Sequence, residues 1–316
     1  MGARAGKNLC RVCLSKLPHV FDHGIAIRAI GGLGNQLFQY AVGRSMAVRL
    51  GGQLYVDSRG YKKNKNRPFL LNHFNHHAIL IERTYLPLRI SKFLRKNFEV
   101  PRLERQGRYV DEVASDAIAQ VKNAALGQYF NGFWQDPAYF SDVESLLREE
   151  LTFATSPSFK NEEMRDRIAN CCAVSVHIRR GDYLTIPHHK LIFASCGPAY
   201  YANAIATISS KLTQAPVFFV FSDDLKWVQE NIAFPENTVF VTINDDASSW
   251  EDLRLMAACQ HHIIANSTFS WWGAWLNASL NKIVVAPRYW YKADVVNRSP
   301  LLLRDFVLVE NDQNLV

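Results

Sequence analysis

The sequence predicts an α/β fold built on parallel sheets, and three observations carry that prediction. Short β-branched and aromatic runs alternate with amphipathic stretches of helix length, the pattern of βαβ units. The second half of the chain holds five such runs with a helical stretch between each pair. Near the other end, a strand-like run, a glycine-rich turn and a helical stretch succeed one another in the order that opens such a unit.

In the first half, IAIRAI (25–30) is a strand and GGLGN a turn. QLFQYAVGRSMAVRL is an amphipathic helix stopped by Gly51-Gly52, because glycine enters the left-handed conformation that ends helices. QLYVDS (53–58) is the next strand, after which Pro68, Pro87 and Pro101 interrupt the periodicity. Order returns with ALGQYFNGFW; Asp136 then caps a helix with Pro137 in its first position, running to Leu151. ATSPS (154–158) is the linker candidate. Beyond it the strands are AVSVHI (173–178), VFFVFS (217–222), TVFVTI (238–243), HHIIAN (261–266) and KIVVAP (282–287). Five strands and four crossovers make a Rossmann-like domain. The expected division is an extension at 1–24, a first domain at 25–155 and a second at 156–316.

The chain has 316 residues, 48% hydrophobic and 21% charged, an ordinary globular balance. No apolar run approaches the roughly 20 residues that span a bilayer, and the N-terminus lacks an apolar signal core. A cytoplasmic protein is expected, at most peripheral to the cytoplasmic face of a membrane. Cys10 and Cys13 form a Cys-x-x-Cys with no second pair at ligand spacing, which favours reduced thiols over zinc. Cys171 and Cys172 precede a strand and are read as core. Net charge is +7, and thirteen Lys or Arg lie between Arg59 and Arg108 against Glu82, Glu99 and Glu104. Such a stretch attracts nucleic acid, an anionic membrane surface or an acidic acceptor, or is simply a solvated face.

Ligands of an open parallel sheet bind beyond the carboxyl ends of its strands. At those ends in the second half stand His177-Ile178-Arg179-Arg180-Gly181-Asp182, Ser222-Asp223-Asp224, Asn244-Asp245-Asp246 and Asn266-Ser267-Thr268-Phe269-Ser270. One rim thus collects arginines, a histidine, carboxylates and hydroxyls at a helix start, the equipment that holds a nucleoside diphosphate. Taken singly, the arginines also read as ion-pair partners of Asp182, and Asp223 and Ser267 as helix caps. Gly31-Gly32-Leu33-Gly34-Asn35-Gln36 is neither a Walker A loop nor the dinucleotide fingerprint, since Leu37 takes the third glycine position.

GGLGNQLFQYA, HIRRGDY, FSDD and NSTFSWWGAWLN together resemble the α-1,2-fucosyltransferases, glycosyltransferase family eleven. NGFWQDPAYF is similar to a further segment of that family, and the resemblance runs from about Ile25 to about Tyr291. The His-x-Arg-Arg part is shared with α-1,6- and protein O-fucosyltransferases, so it speaks for the donor more than for the linkage. The resemblance implies a GT-B fold of two facing Rossmann-like domains, with GDP-fucose held mainly by the C-terminal one. It implies Arg179 on the β-phosphate, His177 and Asp223 on guanosine, and backbone or hydroxyl donors to the phosphates from Thr268, Phe269 and Ser270. Gly34 and Asn35 are implied to face the donor from the other, acceptor-side domain. Arg180 and Asp182 are motif positions too.

The implied reaction is transfer of fucose with inversion to a galactoside hydroxyl, by a single displacement. The departing diphosphate then needs stabilisation by a metal or by preorganised donors. No two aspartates stand two residues apart, so no Asp-x-Asp is present. A metal-independent enzyme with Arg179 in the ion's place is expected, without a cofactor. Asp182 is the candidate base, with a structural carboxylate as the other reading. A nucleic-acid-binding protein is disfavoured because no RNP, zinc-finger or helix-turn-helix motif occurs. Fucosyl transfer to another linkage and a non-catalytic glycan-binding protein stay open.

Overall fold

A computed structural model of the chain describes residues 22–61, 67–82, 99–181, 187–292 and 299–311. Cys10, Cys13, Asp182 and the basic residues at 62, 63, 65, 83, 89, 92, 95 and 96 lie outside them. The chain divides between Thr152 and Phe153 into two compact units.

The first unit holds β1 (Gly24–Arg28), β2 (Gln53–Asp57), β3 (Ile79–Ile81), β4 (Tyr109–Asp111) and β5 (Tyr129–Asn131). They form a parallel sheet in the order β3-β2-β1-β5-β4. Helix α1 (Leu33–Arg49) comes after β1, with thirteen of its seventeen residues buried. Its end is a Schellman motif: Gly51 adopts φ +62, and the Gly52 and Gly51 amides donate to Ala47 O and Val48 O. Smaller helices are α2 (Val100–Arg105), α3 (Ala117–Lys122) and α4 (Glu144–Glu150). The expected single helix from Pro137 to Leu151 is instead two 3-10 turns, Pro137–Tyr139 and Ser141–Val143, and then α4. Asp136 does cap the first turn, accepting from Ala138 N at 2.8 Å. The break falls where Phe140 leaves helical geometry and buries its ring, 6.0 Å from that of Phe38. Core burial overrides a favourable cap and proline here.

The second unit opens with α5 (Phe159–Ala169), capped by Ser158. Its strands are β6 (Ala173–Ile178), β7 (Val217–Ser222), β8 (Val239–Phe240), β9 (His261–Ile263), β10 (Val284–Pro287) and β11 (Val307–Val309). All run parallel, in the order β11-β10-β9-β6-β7-β8. The helices are α6 (Pro187–Ile192), α7 (Pro198–Ser209), α8 (Leu225–Asn231), α9 (Ser249–Ala258) and α10 (Thr268–Leu276). On β6, Val174, Val176 and Ile178 share a core with Tyr200, Tyr201 and Ala204 of α7. Ala173, on the other face, packs with Phe219, Phe221, Leu255 and Met256. Burial on both faces explains why these strands read as unbroken apolar runs. β8 and β9 are shorter than expected, and β11 carried too few residues to stand out. Both units therefore belong to the α/β class with a Rossmann-like parallel sheet.

Two expectations about charge and linkage change. Arg59 is no part of a solvated basic face: its side chain is 8% exposed and pairs with Asp57 (2.8 Å) and Glu99 (3.3 Å). Arg108 pairs with Asp22 at 2.5 Å. The stretch 153–158 is pinned within the second unit, since the Arg254 guanidinium lies 4.7 Å from the Phe153 ring and donates to Thr155 O.

Candidate functional site

Strand order reverses between β6 and β9, because the chain winds β6-β7-β8 to one side and then returns to the other flank of β6. The crevice outside such a reversal is where open α/β sheets bind ligands. The loop after β6 carries Arg179 and Arg180, and the segment after β9 leads into α10.

Asp223, just beyond β7, organises the β6 loop. One carboxylate oxygen accepts from Arg180 N (2.9 Å) and the other from Gly181 N (2.9 Å), while Arg179 Nη1 pairs with Oδ2 at 3.0 Å. A Cβ on Gly181 would come within 2.6 Å of that oxygen, so glycine is what lets the loop close on Asp223. Asp223 thus holds the β6 loop, with its side chain 19% exposed, and it is not a helix cap. The cap of α8 is Asp224, which accepts from Trp227 N at 3.2 Å. Arg180 is drawn away as well: its guanidinium stacks 3.3 Å over Trp227 and reaches Asp224 at 3.4 Å. Among the described residues, the ion pairs of the two arginines are with Asp223 and Asp224. Arg179 keeps a side chain that is 31% exposed, oriented by Asp223.

His177, at the end of β6, is 6% exposed and its ring lies 5.4 Å from Phe269. That contact places the β6 end beside the start of α10. Burial, helped by the charge of Arg179, lowers the His177 pKa to about 3, so the ring is neutral at physiological pH. Its Nδ1 is buried with no hydrogen-bond partner among the described residues. Such an atom in a native fold calls for a reason.

Ser267 caps α10, accepting from Phe269 N at 3.3 Å. Thr268 and Phe269 occupy the first turn, partly exposed. Of the two donors that Ser270 offers, the hydroxyl is engaged inside the protein, which leaves its backbone N–H as the group for a ligand. The side chain is wholly buried, with its hydroxyl on Ala265 O (3.1 Å) and Ser267 O (3.0 Å). Asn266 is equally committed: its Nδ2 donates to Ala194 O (2.8 Å) and Trp290 O (2.9 Å), tying two loops to the rim. Behind it, Ser175 and Asn277 hold the two ring nitrogens of buried His262, each at 2.8 Å.

The first-unit turn has its own reversal, between β1 and β5. Gly34 is buried at the start of α1, and Asn35 Oδ1 accepts from Gln135 Nε2 at 2.8 Å. Gln36 and Gln39, invisible as functional residues in the sequence, serve buried backbone. Gln36 Oε1 accepts from Leu70 N and Leu71 N, and Gln39 joins Ile30 N to Gly132 O. The segment after β5 contains Trp134, buried yet at φ +54, a conformation that costs a bulky residue about 1–3 kcal/mol. No local sequence signal marks it.

The profile of "Glycosyl transferase family 11" matches residues 13–308. An α-1,2-colitosyltransferase of Escherichia coli is 33% identical over 286 residues, covering 86% of this chain and 94% of that protein. The O-antigen biosynthesis glycosyltransferase WbnK of the same species is 32% identical, covering 88% and 97%. Among solved structures, the NodZ α-1,6-fucosyltransferase soaked with GDP-fucose superposes with a TM-score of 0.50 at 16% identity, over 80% of this chain and 92% of that one. The likeness extends the α/β description to the GT-B fold, and with the family match over nearly the whole sequence, this chain belongs to glycosyltransferase family 11, as an enzyme of sugar transfer.

Proposed function

We propose that this enzyme transfers L-fucose from GDP-β-L-fucose to the 2-hydroxyl of a galactoside, with inversion and without a metal ion. The observation that carries the reading is Arg179, oriented by Asp223 just past the β6 end, where His177 meets Phe269 of α10 at the strand reversal. A guanidinium and helix-start amides suit a diphosphate whose charge grows as the sugar departs. The acceptor hydroxyl enters opposite the leaving GDP, so one displacement inverts the anomeric centre. Neutral His177, with a ring nitrogen that has no partner among the described residues, is suited to hydrogen-bond a nucleoside group; Asp223 supports the site by fixing the arginine. Asp182 stays the candidate base on sequence grounds.

A second donor reading has a specific basis, since a relative matching nearly full length is named as a colitosyltransferase. Colitose is fucose without its 3-hydroxyl, so the same diphosphate site serves both. The deciding assay supplies GDP-fucose and GDP-colitose to a panel of galactosides, with product linkage read by NMR. A product linked at another position, or none from either donor, overturns the proposal.

EDTA is expected to leave the transfer rate unchanged, because no Asp-x-Asp is present and arginine meets the electrostatic need. A strict requirement for Mn²⁺ or Mg²⁺ would refute that.

Peripheral attachment to an anionic membrane surface is part of the proposal. Its support is the run of basic residues between 62 and 105, inside the paired Arg59 and Arg108, which carries none of the donor motifs. Among the described residues, no helix is long and apolar enough to cross a membrane. Each basic residue near an anionic surface contributes about 1 kcal/mol. Wild type should therefore sediment with anionic liposomes at low salt, and a variant with Lys62, Lys63, Lys65 and Arg67 changed to Glu should not. Wild type remaining in the supernatant discards the idea.

A further inference from the structure

The loop after β6 sets two arginines side by side, and the second of them is anchored by a residue outside the motifs read from the sequence. Trp227 is the third residue of α8. The Arg180 guanidinium lies 3.3 Å over its ring, and Arg180 Nε reaches Asp224 Oδ2 at 3.4 Å. Helix α8 follows β7, which flanks β6 on the side opposite β9. Arg180 is therefore drawn toward the β7 side, away from the reversal between β6 and β9.

The anchor is built rather than incidental. Asp224 fixes both partners: one carboxylate oxygen accepts from Trp227 N at 3.2 Å, and the other meets the Arg180 side chain. Trp227 O accepts from Asn231 Nδ2 at 2.9 Å, and the ring packs against the core that β6 shares with α7. A planar guanidinium stacks on such a ring with its charge over the electron-rich face. Asp223 meanwhile gives one oxygen to Arg180 N and the other to Gly181 N and Arg179 Nη1. Each of its oxygens already serves the loop, so a second guanidinium arriving there would displace what orients Arg179.

We propose that Trp227 is a positioning residue for sugar transfer. By holding Arg180 on α8, it keeps Asp223 for Arg179 and fixes the loop in the geometry that Arg179 needs toward the departing diphosphate. Arg180 is then part of the scaffold, and its charge is spent on Trp227 and Asp224. A catalytic group displaced by about an ångström loses rate more than it loses ground-state binding. The role of Arg179 rests on the transferase reading; the coupling of Trp227 to the Arg179 side chain does not.

The test has two readouts. In kinetics, Trp227→Ala should lower kcat by about tenfold and leave the GDP-fucose KM within about threefold. Trp227→Phe keeps a ring under the guanidinium and should recover kcat to within about threefold of wild type. Arg180→Gln removes the same contact without opening the core and should cost about as much as Trp227→Ala. The double variant should lose no more than either alone, because both changes break one contact. Losses that multiply, or a donor KM that rises with kcat unchanged, would put Arg180 on the nucleotide and overturn the proposal, as would an unmoved kcat in Trp227→Ala. The second readout needs no turnover. In proton–nitrogen correlation spectra of arginine-labelled protein, the Arg180 Nε–H signal should lie upfield, shielded by the indole ring. Trp227→Ala should release it and also shift the Arg179 signal, identified by its loss in Arg179→Lys; Trp227→Phe should return the Arg179 signal toward its wild-type position. An Arg179 signal unmoved by both Trp227→Ala and Arg180→Gln overturns the coupling. If wild type transfers neither fucose nor colitose, the transferase reading fails alone, and these spectra still decide whether Trp227 positions Arg179.

Discussion

Replacing Arg179 by lysine is expected to lower kcat by about 30- to 900-fold, the equivalent of 2–4 kcal/mol of transition-state stabilisation. Lysine keeps the charge but not the planar fork, which here meets Asp223 at one nitrogen and is partly exposed just past the β6 end. The loss should fall on kcat, since the diphosphate gains its charge as the bond to the sugar breaks. Circular dichroism and thermal unfolding of the variant should match wild type, because the backbone bonds from Arg180 and Gly181 to Asp223 remain. Retention of more than about a tenth of wild-type kcat would remove Arg179 from this role.

Acidification should destabilise the nucleotide-free protein well before its carboxylates protonate in bulk. His177 and His262 are buried and neutral, each with a pKa lowered to about 3. An unfolded histidine titrates near 6.5, so below that pH the unfolded chain takes up protons that the folded chain refuses. Stability from both groups is present above about 6.5 and falls away as the pH drops toward 3. At pH 5 each contributes a loss of about 2 kcal/mol. Asp252 works in the opposite sense, its carboxyl raised to about 6 by burial. Its unfavourable ionisation is relieved on acidification, returning about 1 kcal/mol by pH 5. The net expectation is a loss of about 3 kcal/mol between pH 7 and 5. Urea unfolding across that range measures it, and His262→Gln should roughly halve the histidine part of the slope. A flat stability profile from pH 6.5 to 5 would mean that neither ring is buried as described.

Much of the fold was legible because both faces of the central strands are covered. β6 and β7 span the residues expected of them, 173–178 and 217–222, since continuous apolar runs have one way to be buried in a parallel sheet. The glycine stop of α1 was equally legible, because Gly51 at φ +62 is a local requirement. Where a local signal competed with packing, the signal lost. Asp136 and Pro137 start a helix correctly, and Phe140 ends it within one turn by entering the core.

The sequence by itself determined the class of the chain, the strand ends that carry its polar motifs, and which residue types gather at the second-unit rim. Division of labour within the motifs was decided by tertiary structure alone. Asp223 and Ser270 read as ligand contacts in a string of letters, and the fold gives their oxygens structural partners in the loop after β6 and in α10. Arg179 and Arg180 are adjacent and chemically alike, and among the described residues Trp227 and Asp224 separate them, drawing Arg180 onto α8 while Arg179 is the more exposed. The physical reason is that a hydrogen bond or an ion pair needs a partner within about 3 Å, and those partners lie on other elements tens of residues away. Trp134 makes the same point most sharply, because its left-handed backbone is held by Glu112, a carboxylate whose partnership no local pattern announces.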